Sequence, residues 1–200
     1  NTRNLSHFLA ARPASRLPTP DHVMMLDLEA AGQRRNGGRL ASLVDMARLD
    51  GYDLLIIDTS SGNSTDVYEA HLLADIVLTP MNESPADLHG LFAPAGSPQA
   101  PKINYRELMD SVRFDRRRSG RPVQRWHVCV NRTSAMPTRL GEMMTQRIEQ
   151  AVAQAGLSGL WRVRDRVAHR GISQDGRTVL DPSTGRMTMS EVSGRTEVRA

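Results

Sequence analysis

Residues 54–58 read LLIID and residues 76–80 read IVLTP, and both are short runs of large aliphatic side chains. Continuous apolar runs of this length are typical of strands that are buried on both faces of a parallel sheet. Two later stretches, WHVCV at residues 126–130 and LWRV at residues 160–163, are also interpreted as strands. We therefore predict four strands, at residues 54–58, 76–79, 126–130 and 160–163, and we expect Pro80 to end the second of them.

Helical patterns separate these runs. Apolar residues recur at helical spacing from Leu40 to Ala47 and from Leu140 to Ala155, where Met143 and Met144 are expected to pack in the core. Further elements are predicted as helices at residues 5–11, 65–74 and 105–113 and as a strand at residues 23–28. Strands that alternate with helices predict an α/β fold, with helices on both faces of a parallel sheet. In such sheets ligands bind beyond the carboxyl ends of the strands.

The segment from residue 93 to residue 123 breaks this alternation. It holds four prolines and the run Arg116-Arg117-Arg118. We interpret it as a Pro/Arg-rich insertion within a single domain that covers residues 1–200. The arginine run is either a solvated loop or a contact with phosphate groups. The chain after Asp181 is polar and weakly patterned, so no element is predicted there.

The composition limits the class of protein. The chain has 26 Lys and Arg residues against 22 Asp and Glu, and Lys102 is the only lysine. This arginine excess reflects either a coding bias or guanidinium groups that bind phosphate. No apolar run approaches the roughly 20 residues of a membrane-spanning helix. Cys129 is the single cysteine, which excludes an internal disulfide and favours a reducing, cytosolic setting.

Polar residues follow the predicted strands. Asp58 ends its aliphatic run as the Mg²⁺-binding acid of a Walker B strand does, although an acid at this place is also common as a turn or helix cap. Asn131, like Asp58, has a structural and a functional interpretation. It caps the following loop, or its amide offers a donor and an acceptor to the edge of adenine.

Several segments together resemble a known family. Residues 52–59 (YDLLIIDT) resemble the switch II strand of the ParA/MinD deviant-Walker ATPases. Residues 74–84 (ADIVLTPMNES), with Asp87 following, are similar to one branch of these, the MipZ ATPases that position the division plane. Residues 125–132 and 160–170 resemble the adenine-side strand and the next motif of that branch. The resemblance implies a P-loop NTPase-like parallel sheet with ATP and Mg²⁺ as cofactors.

The resemblance also implies roles for individual residues. Asp58 would act on the water shell of Mg²⁺, and the switch II segment would sense the γ-phosphate through Thr59, Ser60, Ser61 and Gly62. Asn131 would meet adenine, and Arg132 would cover the base or the ribose. Arg164 and Asp165 would close the adenine pocket, and Asn82, after the second strand, would shape the site. The candidates for contacts with DNA are Arg116, Arg117, Arg118, Arg166 and Arg170.

The chain departs from the family pattern in two places. Ser60, Ser61 and Asn63 stand where the usual switch II loop has Pro, Gly and Asp. In addition, no G-x-x-x-x-G-K-[ST] motif occurs in the 200 residues, and Lys102 lies in the Pro-rich segment. We interpret this as an N-terminal truncation that removes the first strand and the phosphate loop. The chain as written is therefore expected not to hydrolyse ATP at a useful rate.

The partners that the resemblance implies are a second copy in an ATP-dependent homodimer, nonspecific DNA, a ParB-like centromere-binding protein and the tubulin-like protein FtsZ, with no membrane partner. The expected location is cytoplasmic, at the nucleoid and poles. Two alternatives remain at this stage. One is a non-hydrolysing interaction domain that has lost its phosphate loop, and the other is a partition ATPase of the same superfamily.

Overall fold

Three parallel strands form the sheet at the centre of this computed structural model, in the order β1-β2-β3. The structure describes residues 4–21, 39–60, 64–93, 105–134, 138–166, 173–182, 185 and 187–199. The elements are α1 (Asn4–Ala11), a 3-10 turn (Arg12–Ser15), α2 (Arg39–Leu49), α3 (Thr65–Leu73), β1 (Ile76–Asn82), α4 (Pro85–Phe92), α5 (Tyr105–Arg118), β2 (Arg125–Thr133), α6 (Arg139–Gln154), β3 (Gly159–Arg164) and α7 (Met189–Arg199). An α/β fold with a parallel sheet flanked by helices was predicted and is confirmed.

One face of the sheet carries the core. Trp126, Val128 and Val130 of β2 are fully buried, and Val77 and Met81 of β1 lie beside them. Helices α4, α5 and α6 cover this face with one buried cluster of side chains, which includes Phe92, Met109, Met144 and Ile148. A smaller cluster joins α3 to α5 through Val67, Leu108 and Val112. The alternation of buried and exposed residues along β1 is that of a strand packed on one side.

The second face of the sheet is less covered than the first in the described part of the chain. Ile76, Leu78 and Trp161 lie on it, and all three are about half exposed in the described part of the chain. Trp161 is stacked on His127 of the neighbouring strand, with 4.8 Å between ring centroids. Strand β1 also runs through Pro80 to Asn82, beyond the predicted end. It can do so because it is the edge strand of the described sheet, where a proline need not remove a ladder hydrogen bond.

The prediction of a buried strand at residues 54–58 is wrong. These residues have no regular secondary structure, and Leu54 and Ile56 are 75% and 79% exposed. A strand needs a neighbour for its backbone N–H and C=O groups, and no described strand lies beside this stretch. The aliphatic run predicted a buried strand, but no neighbouring strand among the described residues pairs with it.

Several helix predictions were corrected in their extent. The helix at residues 105–113 continues to Arg118 and includes the arginine run. The tail forms the unpredicted helix α7. In α6, Met144 is buried as predicted, but Leu140 and Met143 are exposed. The predicted strand at residues 23–28 lies outside the described residues. No helix in the described ranges is long and apolar enough to span a membrane.

Candidate nucleotide site

Asn82 and Asn131 lie opposite each other at the carboxyl edge of the sheet. They are register partners of β1 and β2, and both side chains are exposed. The chain order alone predicted this meeting, because parallel strands end at the same edge. Asp58, which was expected at the same edge, lies instead in the exposed stretch that follows α2.

The backbone of Asn82 is held in place by the start of α4. Its N–H donates to Oδ2 of Asp87 at 2.6 Å, and its carbonyl accepts from the N–H of Ser84 at 2.8 Å. Ser84 is also the N-cap of α4, since its Oγ accepts from the N–H of Asp87 at 3.1 Å. Reasoning from the residues alone did not assign Asp87 this role, although Ser-x-x-Asp before an apolar run is a readable helix start.

Arg132 has a left-handed backbone at the end of β2. Its φ is +57°, and the pairing with β3 is irregular between Asn131 and Thr133. This conformation is uncommon for a residue with a Cβ and costs about 1 kcal/mol. The Oδ1 of Asn131 accepts from the N–H of Arg132 at 2.9 Å, which stabilises the bend. The bend therefore lies at two exposed polar residues at a strand end, and such strain is common at binding sites.

The first turn of α6 approaches the same edge. Thr138 is its N-cap, because Oγ1 of Thr138 accepts from the N–H of Gly141 at 3.0 Å. Thr145, one turn further, donates its hydroxyl to Oε1 of Glu83 at 3.3 Å. A helix N-terminus usually favours an anion. Here Glu83 and Asp87 bring carboxylates to this edge, so it is better suited to a neutral base than to a phosphate group.

Hydrogen bonds join the end of β3 to α7. Glu197 accepts from the N–H of Arg164 at 2.8 Å and from Nε of Arg166 at 2.7 Å. Burial raises the pKa of the Glu197 carboxyl, but the hydrogen bonds from Arg166 and Arg164 outweigh it, so this pKa is lowered overall. The N–H of Asp165 donates to the carbonyl of Thr133 at 3.0 Å, which brings Asp165 beside the end of β2. Glu197 has no signal in the sequence, because its partners are about thirty residues away.

The described residues fit adenine better than they fit Mg²⁺ and a triphosphate. Exposed amide and guanidinium side chains that suit a base lie at neighbouring backbone positions, at Asn82, Asn131 and Arg132. In contrast, no three His, Cys, Asp or Glu side chains within the described ranges are placed to hold a metal ion. Asp58, Thr59 and Ser60 are exposed and lie outside the sheet, whereas Ser61 and Gly62 are outside the described residues. We therefore derive no hydrolytic step from these residues.

The three residues of the arginine run differ in burial because they lie on different sides of α5. Arg116 is only 3% exposed and donates to three backbone carbonyls, so it is withdrawn from the candidates for a DNA contact. Arg117 and Arg118 are exposed in the last turn of α5. They lie near the amino ends of β1 and β2, opposite the edge that carries Asn82 and Asn131. Arg166 is paired with Glu197, and Arg170 lies outside the described residues.

The parallel sheet, its flanking helices and the polar carboxyl edge define an α/β protein of the P-loop NTPase-like class. The sequence pattern of the family described as ATPase MipZ matches residues 3–200, and the chain belongs to this family. The family consists of ParA-like ATPases that act in positioning cell division. A search of characterised proteins gave no match. The resemblance found in the sequence is thus confirmed at the level of the MipZ family.

Proposed function

We propose that this chain provides the adenine-binding side of an ATPase switch that positions the division plane and couples it to chromosome segregation. The single observation that supports the adenine site is the bend at Arg132, beside Asn131 and opposite Asn82. In this proposal the Asn131 amide contacts the base and Arg132 covers the base or ribose. Arg164 and Asp165 close the pocket from β3.

The rest of the cycle follows from the family. ATP, with Mg²⁺ held through water by Asp58, drives formation of a homodimer, and residues 59–62 sense the γ-phosphate. The dimer binds DNA nonspecifically, meets a ParB-like protein and inhibits FtsZ assembly near the poles, in the cytoplasm. The exposed pair Arg117 and Arg118 supports the DNA contact, because guanidinium groups at a helix end are available to phosphates.

A second candidate is a non-hydrolysing interaction domain. The observation that favours it is the absence of a phosphate-loop motif from the 200 residues. Turnover of ATP by the protein would exclude this candidate. A partition ATPase of the same superfamily would differ in its partners, and binding to FtsZ distinguishes it from the first candidate.

We expect the chain to bind adenosine, AMP and ATP with similar affinities and to bind guanosine more weakly. The reason is that the described edge offers amide and guanidinium groups for a base, whereas the carboxylates of Glu83 and Asp87 at this edge would repel a phosphate group. Asn131→Ala is expected to weaken adenosine binding about fivefold to tenfold, the effect of one hydrogen bond. Isothermal titration calorimetry measures these affinities.

The matched control is Gln150→Ala, which removes an exposed amide from α6. It should bind adenosine like the parent chain. Equal binding by Asn131→Ala and the parent would remove Asn131 from the site. ATP binding a hundredfold tighter than adenosine would mean that a phosphate-binding group exists within the chain.

We expect duplex DNA binding to depend on Arg117 and Arg118. Each phosphate contact contributes about −0.9 to the slope of log affinity against log salt concentration, so Arg117→Ala with Arg118→Ala should reduce the slope by roughly 1.8. Fluorescence anisotropy with ATP present, between 50 and 200 mM salt (roughly the range in which such contacts are lost), measures this slope. The charge-matched control is Arg139→Ala with Arg147→Ala on α6. If the first double variant binds as tightly as the parent throughout the titration, the pair is only solvated surface, and Arg162, Arg166 and Arg170 are tested next.

A further inference from the structure

A continuous chain of hydrogen bonds crosses the buried junction between α3, α5, β1 and β2. Nδ1 of His71 lies 2.6 Å from the carbonyl of Val67, and Nε2 of His71 lies 2.7 Å from the hydroxyl of Tyr105. That hydroxyl is 2.9 Å from Oγ1 of Thr79, which accepts from Nε1 of Trp126 at 3.0 Å. Four elements, α3, β1, α5 and β2, are thus joined through polar side chains.

The two ends of this chain determine where every proton lies. The carbonyl of Val67 can only accept, so Nδ1 of His71 carries a proton, and the indole N–H of Trp126 can only donate. Nε2 of a neutral His71 is then bare and accepts from Tyr105, and Tyr105 in turn accepts from Thr79. Four protons make four hydrogen bonds, all directed from Trp126 towards Val67. No position remains for a fifth proton without breaking one of them.

The surroundings favour the neutral imidazole. His71 is 6% exposed, and burial lowers its pKa, although the hydrogen bond to Val67 partly opposes this. The Tyr105 ring stands edge-on to the rings of both His71 and Trp126, with centroids 5.6 and 5.8 Å apart. Burial also raises the pKa of the Tyr105 hydroxyl, with a smaller opposite effect from Thr79. The Tyr105 hydroxyl therefore stays protonated and available as a donor to His71.

The charged side chains around this junction already have partners of their own. On α3, Glu69 accepts from the backbone of Ala41, and Tyr68 donates to Asp115 of α5. At the end of α3, Arg116 binds backbone carbonyls and pairs with Asp75, and Arg121 lies near the carbonyl of Leu72. On the far side, the Arg113 guanidinium lies over the Trp126 ring. Among these side-chain types, imidazole is the one whose ordinary titration falls between pH 5 and 8.

We infer that His71 is a proton-sensitive latch, which holds α3 against α5 and the sheet while it is neutral and releases this contact when it is protonated. Protonation would place an N–H on Nε2, facing the oxygen of Tyr105. The Tyr105 hydrogen would then have to turn towards Thr79, whose own hydrogen would lose its acceptor. A buried positive charge and an unpaired hydroxyl both oppose the closed arrangement. The latch does not depend on the proposed nucleotide site.

The sign of the pH dependence follows from linkage. The pKa of His71 is lower in the folded state than in the unfolded chain, so the unfolded state binds more protons. The stabilisation is complete above pH 6.5 or so, the ordinary value for histidine. It is lost as the pH falls from there towards the folded pKa. Within that window the unfolding constant rises by up to about tenfold per pH unit.

The first test uses His71→Gln, which keeps a donor and an acceptor but cannot titrate. Urea unfolding is followed by circular dichroism between pH 7.5 and 5.0 (roughly the window around the ordinary histidine pKa). The parent should lose stability as the pH falls, and His71→Gln should lose much less. His89→Gln, which removes an exposed histidine from α4, is the matched control and should behave like the parent. The same acid response in both variants would overturn the latch.

The second test needs no variant to fold. Nitrogen-15 NMR of the histidine side chains should show His71 as the Nδ1–H tautomer at pH 7.5, with a pKa below the ordinary histidine value of about 6.5. After correction for the slower intrinsic exchange at low pH, hydrogen-exchange protection of the α3 amides should fall in acid before protection of the β2 amides does. An Nε2–H tautomer, or a His71 pKa at or above the ordinary histidine value of about 6.5, would also overturn the inference.

Discussion

Replacing Arg116 by alanine is expected to destabilise the protein by about 3 kcal/mol or more, whereas the same change at Arg117 or Arg118 should cost less than about 0.5 kcal/mol. The Arg116 guanidinium donates to the carbonyls of Leu72 and Ala74 at 2.8 and 2.7 Å, and to that of Pro122 at 2.7 Å. A cation at a helix C-terminus also interacts favourably with the helix dipole. Alanine would leave these acceptors without their donor in a buried place.

Urea unfolding at pH 7 measures the three free energies. Arg116→Lys serves as the geometric control, because lysine keeps the charge but lacks the planar fork that reaches several carbonyls. We expect it to be intermediate between the parent and Arg116→Ala. If Arg116→Ala proved as stable as Arg117→Ala, the three carbonyls would have to be satisfied in some other way.

Asp181→Asn is expected to cost about 2 kcal/mol at pH 7. Asp181 forms a double contact with Arg12, with N–O distances of 2.7 and 3.0 Å, and also accepts from the N–H of Thr178 at 2.7 Å. The two charged side chains are only 15% and 11% exposed. Hydrogen bonding from Arg12, with further help from Thr178, lowers the pKa of Asp181 from 3.8 to about 2 despite burial. Each pKa unit corresponds to about 1.4 kcal/mol.

The sign of the acid response follows from the depressed pKa. The contribution is present in full above about pH 4 and is lost as the pH falls towards 2, where the folded carboxylate takes up its proton. The unfolding curves of the parent and Asp181→Asn should therefore differ at pH 7 and converge in this acid range. Asp45→Asn is the control, since its pair with Arg48 is well exposed and should contribute less than about 0.5 kcal/mol. Equal losses in the two variants would contradict the buried pair.

The contact between Arg12 and Asp181 spans most of the chain and has no signature in the sequence. The same is true of Glu197, which fastens the end of β3. Reasoning from residues placed Asn82 and Asn131 at one edge of the sheet because both follow apolar runs, and the pairing of β1 with β2 confirms that placement. It failed for Arg116, since a run of three arginines does not indicate which one faces the core. Helix α5 decides that, because neighbouring residues on a helix point about 100° apart.

The sequence by itself determined the α/β class, three of the five predicted strands and membership of the MipZ family. These follow from local patterns, because aliphatic runs and helical stripes record which side chains must leave water. Only the tertiary structure decided that residues 54–58 stay outside the sheet, that Arg116 is buried and that His71 reaches Tyr105. Each of these depends on a partner far away in the chain. A hydrogen bond or a strand pairing exists only when both groups are brought together, and no single segment carries that information.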